Sequence, residues 1–371
     1  MIKLKERRHI KKSRWHHIID IFQCDNEIYI IAGIVRPDED IIHVGGTQTD
    51  SPFPQEKWAT VEDAINKISA KSFDMELKSR VHNLPYAGCK FGIWAPLSYL
   101  KGRKRSELFK YLGDVLNYYN NNDIKIYTGA DVHTDLYDLK TTLDTSPYVL
   151  GKPKNYGEGQ YGGVDDPSPW TAKMIVKIYK SFIREGFIGR SPVIKGKKLV
   201  VKGVGKVGKE IVALVRKENM VIFVSDIDEQ KSIAMRNIYG VAKEHPDNIH
   251  KIECHIYCPA DSGITIPNKK TINELRCEAI IGPANDQCRS EELDGELFKR
   301  KILHISRSGV FENGGGLLAV TDELEEGGYD PFRLESKIDS RVAVAVEIVR
   351  ESRQNNVSPW TIIKERFLQG I

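Results

Sequence analysis

The sequence predicts an α/β fold of two domains, one of them doubly wound around a parallel sheet. Three observations predict it. At 371 residues the chain is longer than one ordinary domain. From Leu199 onward, short apolar runs recur at Leu199–Lys202, Val221–Ser225, His255–Tyr257, Ala279–Ile281 and Ile302–Ile305, with helical or loop segments between them. The first of these runs leads into Gly203, Val204, Gly205, Lys206, Val207 and Gly208, which read G-x-G-x-x-G. Strand–helix alternation of this kind gives a parallel sheet with its ligand at the carboxyl ends of the strands.

The glycine turn carries its own chemistry. Val207, Ile211, Leu214 and Val215 follow it on one helical face, at i, i+4, i+7 and i+8. Glycines permit the tight turn and let backbone reach a pyrophosphate, whose charge sits at the helix N-terminus. The next apolar run ends at Asp226, followed by Ile227. A carboxylate there accepts from a ribose hydroxyl and repels a 2′-phosphate, which predicts NAD rather than NADP.

The elements before the turn alternate too. Glu27 to Val35 reads as a strand, Val61 to Phe73 and Leu108 to Tyr119 as helices, and Ile124 to Tyr127 as a strand. Glycine and proline are concentrated between Gly151 and Gly163, which predicts a mobile connection and a hinge. Ser168-Pro169 starts a helix at Trp170. A striped helix runs through Ile338, Val342, Ala345, Val346 and Val349, and Pro359 to Leu368 closes the chain. The expected division is residues 1–150, completed by 343–371, as a substrate-binding and oligomerisation domain, with residues 151–342 as the dinucleotide domain.

Composition narrows the function. Apolar residues make up 40% and charged residues 29%, so sizeable cores form and disorder is excluded. A net charge of +4 gives no reason to expect a nucleic-acid partner. The N-terminal Lys3, Lys5, Arg7, Arg8, Lys11, Lys12 and Arg14 face only Glu6, and are read as a solvated tail rather than a nucleic-acid arm. No apolar run reaches membrane-spanning length, which predicts a soluble, cytoplasmic protein. Six scattered cysteines fit reduced thiols. Cys254, His255 and Cys258 sit in an apolar run without a second ligand pair, so no metal is expected.

Candidate chemistry lies in the first half. Lys78 and Lys90 flank the turn-rich segment Asn83-Leu-Pro-Tyr-Ala-Gly88. Two solvated lysines would fit that position. A lysine desolvated beside another cation would instead fall toward the acid–base range. Asp131 and His133 follow a predicted strand, where such residues point into a cleft. Each is open there to a structural or a catalytic role.

In order along the chain come His43-Val-Gly45-Gly46-Thr47, Lys78, Ala87-Gly-Cys-Lys90, Gly129-Ala-Asp131-Val-His-Thr134, Pro167-Ser-Pro-Trp-Thr171-Ala, the glycine turn, Tyr257-Cys-Pro-Ala-Asp-Ser-Gly263, Gly282-Pro-Ala-Asn285-Asp-Gln287 and Asn313-Gly-Gly-Gly316-Leu-Leu-Ala-Val320-Thr-Asp-Glu-Leu324. This series resembles the leucine, phenylalanine and valine dehydrogenases of the glutamate dehydrogenase superfamily, from about residue 28 to 350. The resemblance implies a reversible oxidative deamination of an L-amino acid with NAD, giving a 2-oxo acid and ammonia. It implies a homo-oligomer with a cleft between its two domains, the second being a Rossmann domain. By the same resemblance Lys78 pairs with the substrate carboxylate, Lys90 activates the attacking water, and Asp131 handles the amine protons. Thr171, Asn285 and Asn313 would hold the nicotinamide end of the cofactor. Val44, Gly45, Gly129, Leu317 and Val320 would line an apolar substrate pocket that offers no anchor for glutamate.

Three departures stand out. Cys89 places a thiol, expected to be oxidisable, beside Lys90. Asp286 follows Asn285 where the family has a second asparagine, and would bring negative charge near the substrate, selecting a cationic partner. Gln48 replaces an arginine. They motivate the competing readings: a non-catalytic NAD-binding or regulatory protein, or a dehydrogenase of a modified or cationic amino acid.

Overall fold

The computed structural model describes residues 2–10, 16–49 and 58–369. The chain divides into two compact units. Unit 1 runs to Asp166 and takes in Ala319–Pro331; unit 2 comprises Pro167–Leu318 and Phe332–Gln369. The division differs from the sequence expectation in three places. The first unit continues past residue 150, a short later segment returns to it, and the C-terminal helices pack in the second unit.

Unit 1 contains β1 (Lys3–Ile10), β2 (His17–Asp25), β3 (Ile28–Val35), β4 (His43–Thr49), α1 (Val61–Val81), β5 (Ala87–Trp94), α2 (Leu97–Lys101), α3 (Arg105–Asn120), β6 (Ile126–Ala130) and α4 (Leu136–Leu143). Its sheet has the order β1-β2-β3-β5-β4-β6. The strands from β1 to β5 pair antiparallel, whereas β4 lies parallel to both β5 and β6. Thr60 and Asp63 form a reciprocal cap at the start of α1. The helix lies close over the sheet because glycines floor its seat. A Cβ on Gly33 would stand 2.6 Å from Ser72, one on Gly92 2.6 Å from Ile68, and one on Gly88 2.7 Å from the Cα of Glu76. Ile68, Ser72 and Glu76, four residues apart, form the helix face that meets them. On the other side, Leu108, Phe109, Leu112, Val115, Leu116 and Tyr119 of α3 pack into a core with Phe22, Ile30, Phe91 and Ile93.

The basic N-terminus is not a tail as far as it is described. It forms β1, whose Arg7 donates two hydrogen bonds of 2.7 Å to Asp20 on β2. Asp20 is buried and also accepts from the Tyr119 hydroxyl at 2.7 Å. Arg8 is shared between Glu6 and Glu62. A buried carboxylate needs a cation, so the strand supplies one. Lys11, Lys12 and Arg14 lie outside the described residues. Nor is the glycine-rich stretch after residue 150 loose. Glu323 accepts the backbone N–H of Gly151 at 3.1 Å, Lys152 at 3.0 Å and Val164 at 2.8 Å, and Asp165 bonds back to Lys152 at 2.9 Å.

Unit 2 contains α5 (Ser168–Arg184), β7 (Lys198–Lys202), α6 (Lys206–Lys217), β8 (Val221–Ser225), α7 (Glu229–Tyr239), β9 (Ala242–Lys243), β10 (Cys254–Pro259), α8 (Lys269–Glu274), β11 (Cys277–Ile280), α9 (Glu291–Lys299), β12 (Leu303–His304), α10 (Gly314–Thr321) up to Leu318, α11 (Pro331–Asn355) from Phe332 and α12 (Pro359–Phe367). All its pairings are parallel, in the order β12-β11-β10-β7-β8-β9. The order reverses at β7, so β7, β8 and β10 meet where a doubly wound sheet takes its ligand. Lys177 pairs with Asp339 at 2.5 Å and Lys364 with Glu291 at 3.2 Å, fastening the C-terminal helices to this unit. Among the described residues no helix is long and apolar enough to cross a membrane.

Candidate functional site

The unit 1 residues converge at the junction of β4, β5 and β6. Lys90 lies on β5 between Gly33 and Gly46 on the neighbouring strands. Two glycine neighbours leave room for a long side chain, which is only 2% exposed. Its Nζ contacts Oδ2 of Asp131, just past the end of β6. A local turn fixes Asp131: its N–H donates to Thr134 Oγ1 at 2.7 Å, and its Oδ1 accepts from Val132 at 2.8 Å. Thr134 in turn donates to the Thr47 carbonyl at 2.9 Å, and Arg105 holds the turn from below through the carbonyl of His133 at 2.6 Å. His133 itself sits in the left-handed region at φ 59°.

Lys78, in the last turn of α1, is also buried, so neither lysine is the solvated surface group its turn-flanking position would allow. Burial pushes the Lys90 amine down to about 7, with Lys78 and then Lys71 adding to the effect. The Asp131 carboxylate works in the opposite sense by favouring the charged form. The two groups form an acid–base pair, its lysine buried and its carboxylate partly exposed, with a second lysine near by, and the arrangement can bind an anion and move protons in the neutral range.

Other positions refine the picture. Gly46, present in a quoted motif without a role, lies against the pair. A Cβ there would lie 3.0 Å from the Asp131 side chain and 3.2 Å from Lys90 Nζ. A Cβ on Gly45 would point to the other face, 2.6 Å from the Cys89 carbonyl carbon, whereas Val44 shares the face of Gly46 and is fully buried. Val320 lies beside Gly151 and Gly129 beside Leu150. Cys89 is fully buried, and burial pushes its thiol up, so it is protected rather than oxidisable. Glu76, Thr134 and Arg105 were not singled out from sequence. Only their contacts across the fold reveal them.

In unit 2 the glycine turn joins β7 to α6. Gly203 has φ +94°, and a Cβ there would meet Ala260 at 2.7 Å. Beside Gly205 there is open space, and a Cβ on Gly208 would stand 3.1 Å from the Gly203 carbonyl carbon. No side chain caps the N-terminus of α6, so its first N–H groups point outward beside Gly205. Lys206 is exposed there, with Val207 behind it. Asp226 accepts the N–H of Val204 at 2.8 Å and of Asp228 at 2.9 Å, which ties the end of β8 to the turn and leaves lone pairs for a further donor. Ile227 is 89% exposed. Asn313 donates to Asn285 at 3.0 Å, and buried Gln287 closes the Asn285 loop through the carbonyls of Gly282 and Ala284. Asp286, partly buried in that loop, gives its carbonyl to Thr265 at 3.1 Å. Thr171 is buried at the start of α5, and Leu317 is buried on α10.

No protein-family model matches the chain. Its sequence is 29% identical over 303 residues to phenylalanine dehydrogenase of Thermoactinomyces intermedius, covering 81% of this chain and 78% of that one. It is 28% identical over 279 residues to L-tryptophan dehydrogenase of Nostoc punctiforme, covering 75% and 72%. Leucine dehydrogenase of Bacillus subtilis is 28% identical over 326 residues, covering 88% and 83%. The fold matches the crystal structure of the Nostoc tryptophan dehydrogenase with a TM-score of 0.66 and 22% identity, covering 100% and 96%. It matches the hetero-hexameric glutamate dehydrogenase of Thermus thermophilus with a TM-score of 0.71 and 17% identity, covering 99% and 89%. The chain is thus similar in sequence to leucine, phenylalanine and tryptophan dehydrogenases, which are oxidoreductases, and its fold is that of the tryptophan and glutamate dehydrogenase structures.

Proposed function

We propose that the chain catalyses the NAD-dependent, reversible oxidative deamination of an apolar L-amino acid. The observation that carries this reading is the pairing of buried Lys90 with Asp131 on a glycine-lined strand junction, with Lys78 near by. The balanced reaction takes the amino acid, NAD⁺ and water to the 2-oxo acid, ammonium, NADH and a proton. Lys78 binds the substrate carboxylate. Asp131 takes a proton from the substrate amine. Bound NAD supplies the acceptor for the hydride from the substrate Cα. Lys90, neutral in part at pH 7, takes a proton from water as it adds to the iminium carbon. It then stabilises the carbinolamine oxygen until ammonia leaves.

The residues present fit that cofactor. The open helix N-terminus beside Gly205 suits a pyrophosphate, and the Asp226 carboxylate suits a ribose diol. Thr171, Asn285 and Asn313 would hold the nicotinamide end. Val44 and Val320 favour an apolar side chain, branched or aromatic. The cysteines stand as thiols, which suits a cytoplasmic setting, and the assembly we propose is a homo-oligomer. Asp286 motivates a second reading, a cationic or modified amino acid.

The test is NADH absorbance with purified protein, NAD and each L-amino acid separately at alkaline pH. Turnover with leucine, valine, phenylalanine or tryptophan supports the main reading. Turnover with lysine or arginine alone transfers specificity to Asp286. Silence across the panel with NADH still bound defeats both and leaves a non-catalytic NAD protein.

A further inference from the structure

We infer that Glu76 is a positioning residue that sets Lys78 and Lys90 against each other by pinning helix α1 to strand β5. The inference rests on the proposed roles of those two lysines. Glu76 is fully buried on the face of α1 that meets the glycine floor. One carboxylate oxygen accepts the backbone N–H of Gly88 at 2.8 Å, and the other accepts Arg80 Nε at 2.8 Å. Arg36, at the end of β3, reaches the same carboxylate, its Nε 3.1 Å from Oε1. Its backbone is in the left-handed region at φ 58°, and its carbonyl meets His43 Nε2, at the start of β4, at 3.2 Å. One acid therefore gathers β3, β4, α1 and β5.

The spacing gives this clamp its reach. Lys78 follows Glu76 by two residues on α1, and Lys90 follows Gly88 by two residues on β5. Residues two apart on a strand share a face, so Lys90 leaves the sheet on the side held by Glu76. A slip at the Glu76–Gly88 bond would move both lysines relative to Asp131 and open a path for water to Lys90. The charged groups that face Lys90 are Asp131 after β6 and Lys78, Lys71 and Asp74 from α1, with the Cys89 thiol on its own strand. Two guanidinium groups on one carboxylate explain an acid here rather than an amide.

The experiment uses the full chain and reads Lys90 directly. Acetic anhydride labelling is followed against pH by mass spectrometry of the Lys90 peptide, in parallel with steady-state kinetics. Glu76→Ala is expected to raise the labelling midpoint by about one pH unit or more as water reaches the amine. It is also expected to lower kcat about tenfold or more, with a higher KM. Glu76→Gln keeps an acceptor for the Gly88 N–H and is expected to show the same changes in smaller measure. A folded Glu76→Ala chain with an unmoved Lys90 midpoint and unmoved kcat would overturn the inference, leaving Glu76 only to hold the arginines. If Glu76→Ala does not fold, an unmoved midpoint in Glu76→Gln overturns it instead. Labelling needs no turnover. Silence with every amino acid would therefore defeat the proposed reaction, while the labelling curve still decides this inference.

Discussion

Replacing Lys90 with methionine keeps most of the side-chain volume and removes the charge. It should make folding stability less dependent on pH in a defined window. In the folded chain the amine titrates at about 7 against the ordinary 10.5. Between those values the unfolded chain binds the proton more tightly than the folded one, so stability rises with pH. Lysine 90 therefore costs most below about pH 7 and nothing above 10.5. At about 1.4 kcal/mol per pH unit the whole gap comes to about 5 kcal/mol, an upper bound because Asp131 opposes it. From about pH 7 to about pH 9.5 the share is about 3 kcal/mol. Buried thiols such as Cys24 and Cys254 are pushed up and titrate with the opposite slope, but they do so in both chains and cancel in the comparison. The assay is urea unfolding of both chains at the two pH values. Lys90→Met should be the more stable chain near pH 7 by a margin that shrinks by about 3 kcal/mol on going to the higher pH. A margin that stays constant would refute the depressed amine, and with it the general-base role.

Other consequences can be checked as directly. Asp131→Asn should cut turnover by about 10²- to 10⁴-fold with NADH affinity, read by fluorescence, unchanged. Asp226→Ala removes both the proposed ribose acceptor and the partner of the Val204 N–H. It should weaken NADH binding about tenfold or more in titration calorimetry while raising relative tolerance of NADPH. Gly88→Ala places a methyl 2.7 Å from the Cα of Glu76, where backbone rather than a flexible tip must move. It should cost about 3 kcal/mol in urea unfolding. Arg7→Ala leaves buried Asp20 with the Tyr119 hydroxyl as its one remaining side-chain partner among the described residues. It should cost about 2 kcal/mol, lost by melting in differential scanning calorimetry.

Unit 2 is legible in the sequence because its signals are local. The Leu199 and Val221 runs, the glycine turn and Asp226 each report on neighbours in sequence, and the parallel strands stand where those runs fall. Unit 1 was less legible. β4 reads His43-Val-Gly-Gly-Thr-Gln-Thr49, and glycines argue against a strand when seen alone. Its glycines are there because Lys90, Asp131 and the Cys89 carbonyl come close to them, a fact of tertiary packing. β1 was read as a tail because its cations find their acids, Asp20 and Glu62, on other elements. The Lys90–Asp131 pair spans 41 residues of sequence. Family likeness points to its members, but the burial of Lys90 and its contact with Asp131 come only from the fold.

The Glu323 carboxylate bears on how this protein can be divided. An N-terminal fragment ending at Asp166 would carry Lys78, Lys90 and Asp131 but not Ala319–Pro331. The amides of Gly151, Lys152 and Val164 would then lose their common acceptor. Gene truncation after the first unit should therefore yield a frayed, protease-sensitive C-terminus, and adding a synthetic peptide of residues 319–331 in trans should restore resistance there.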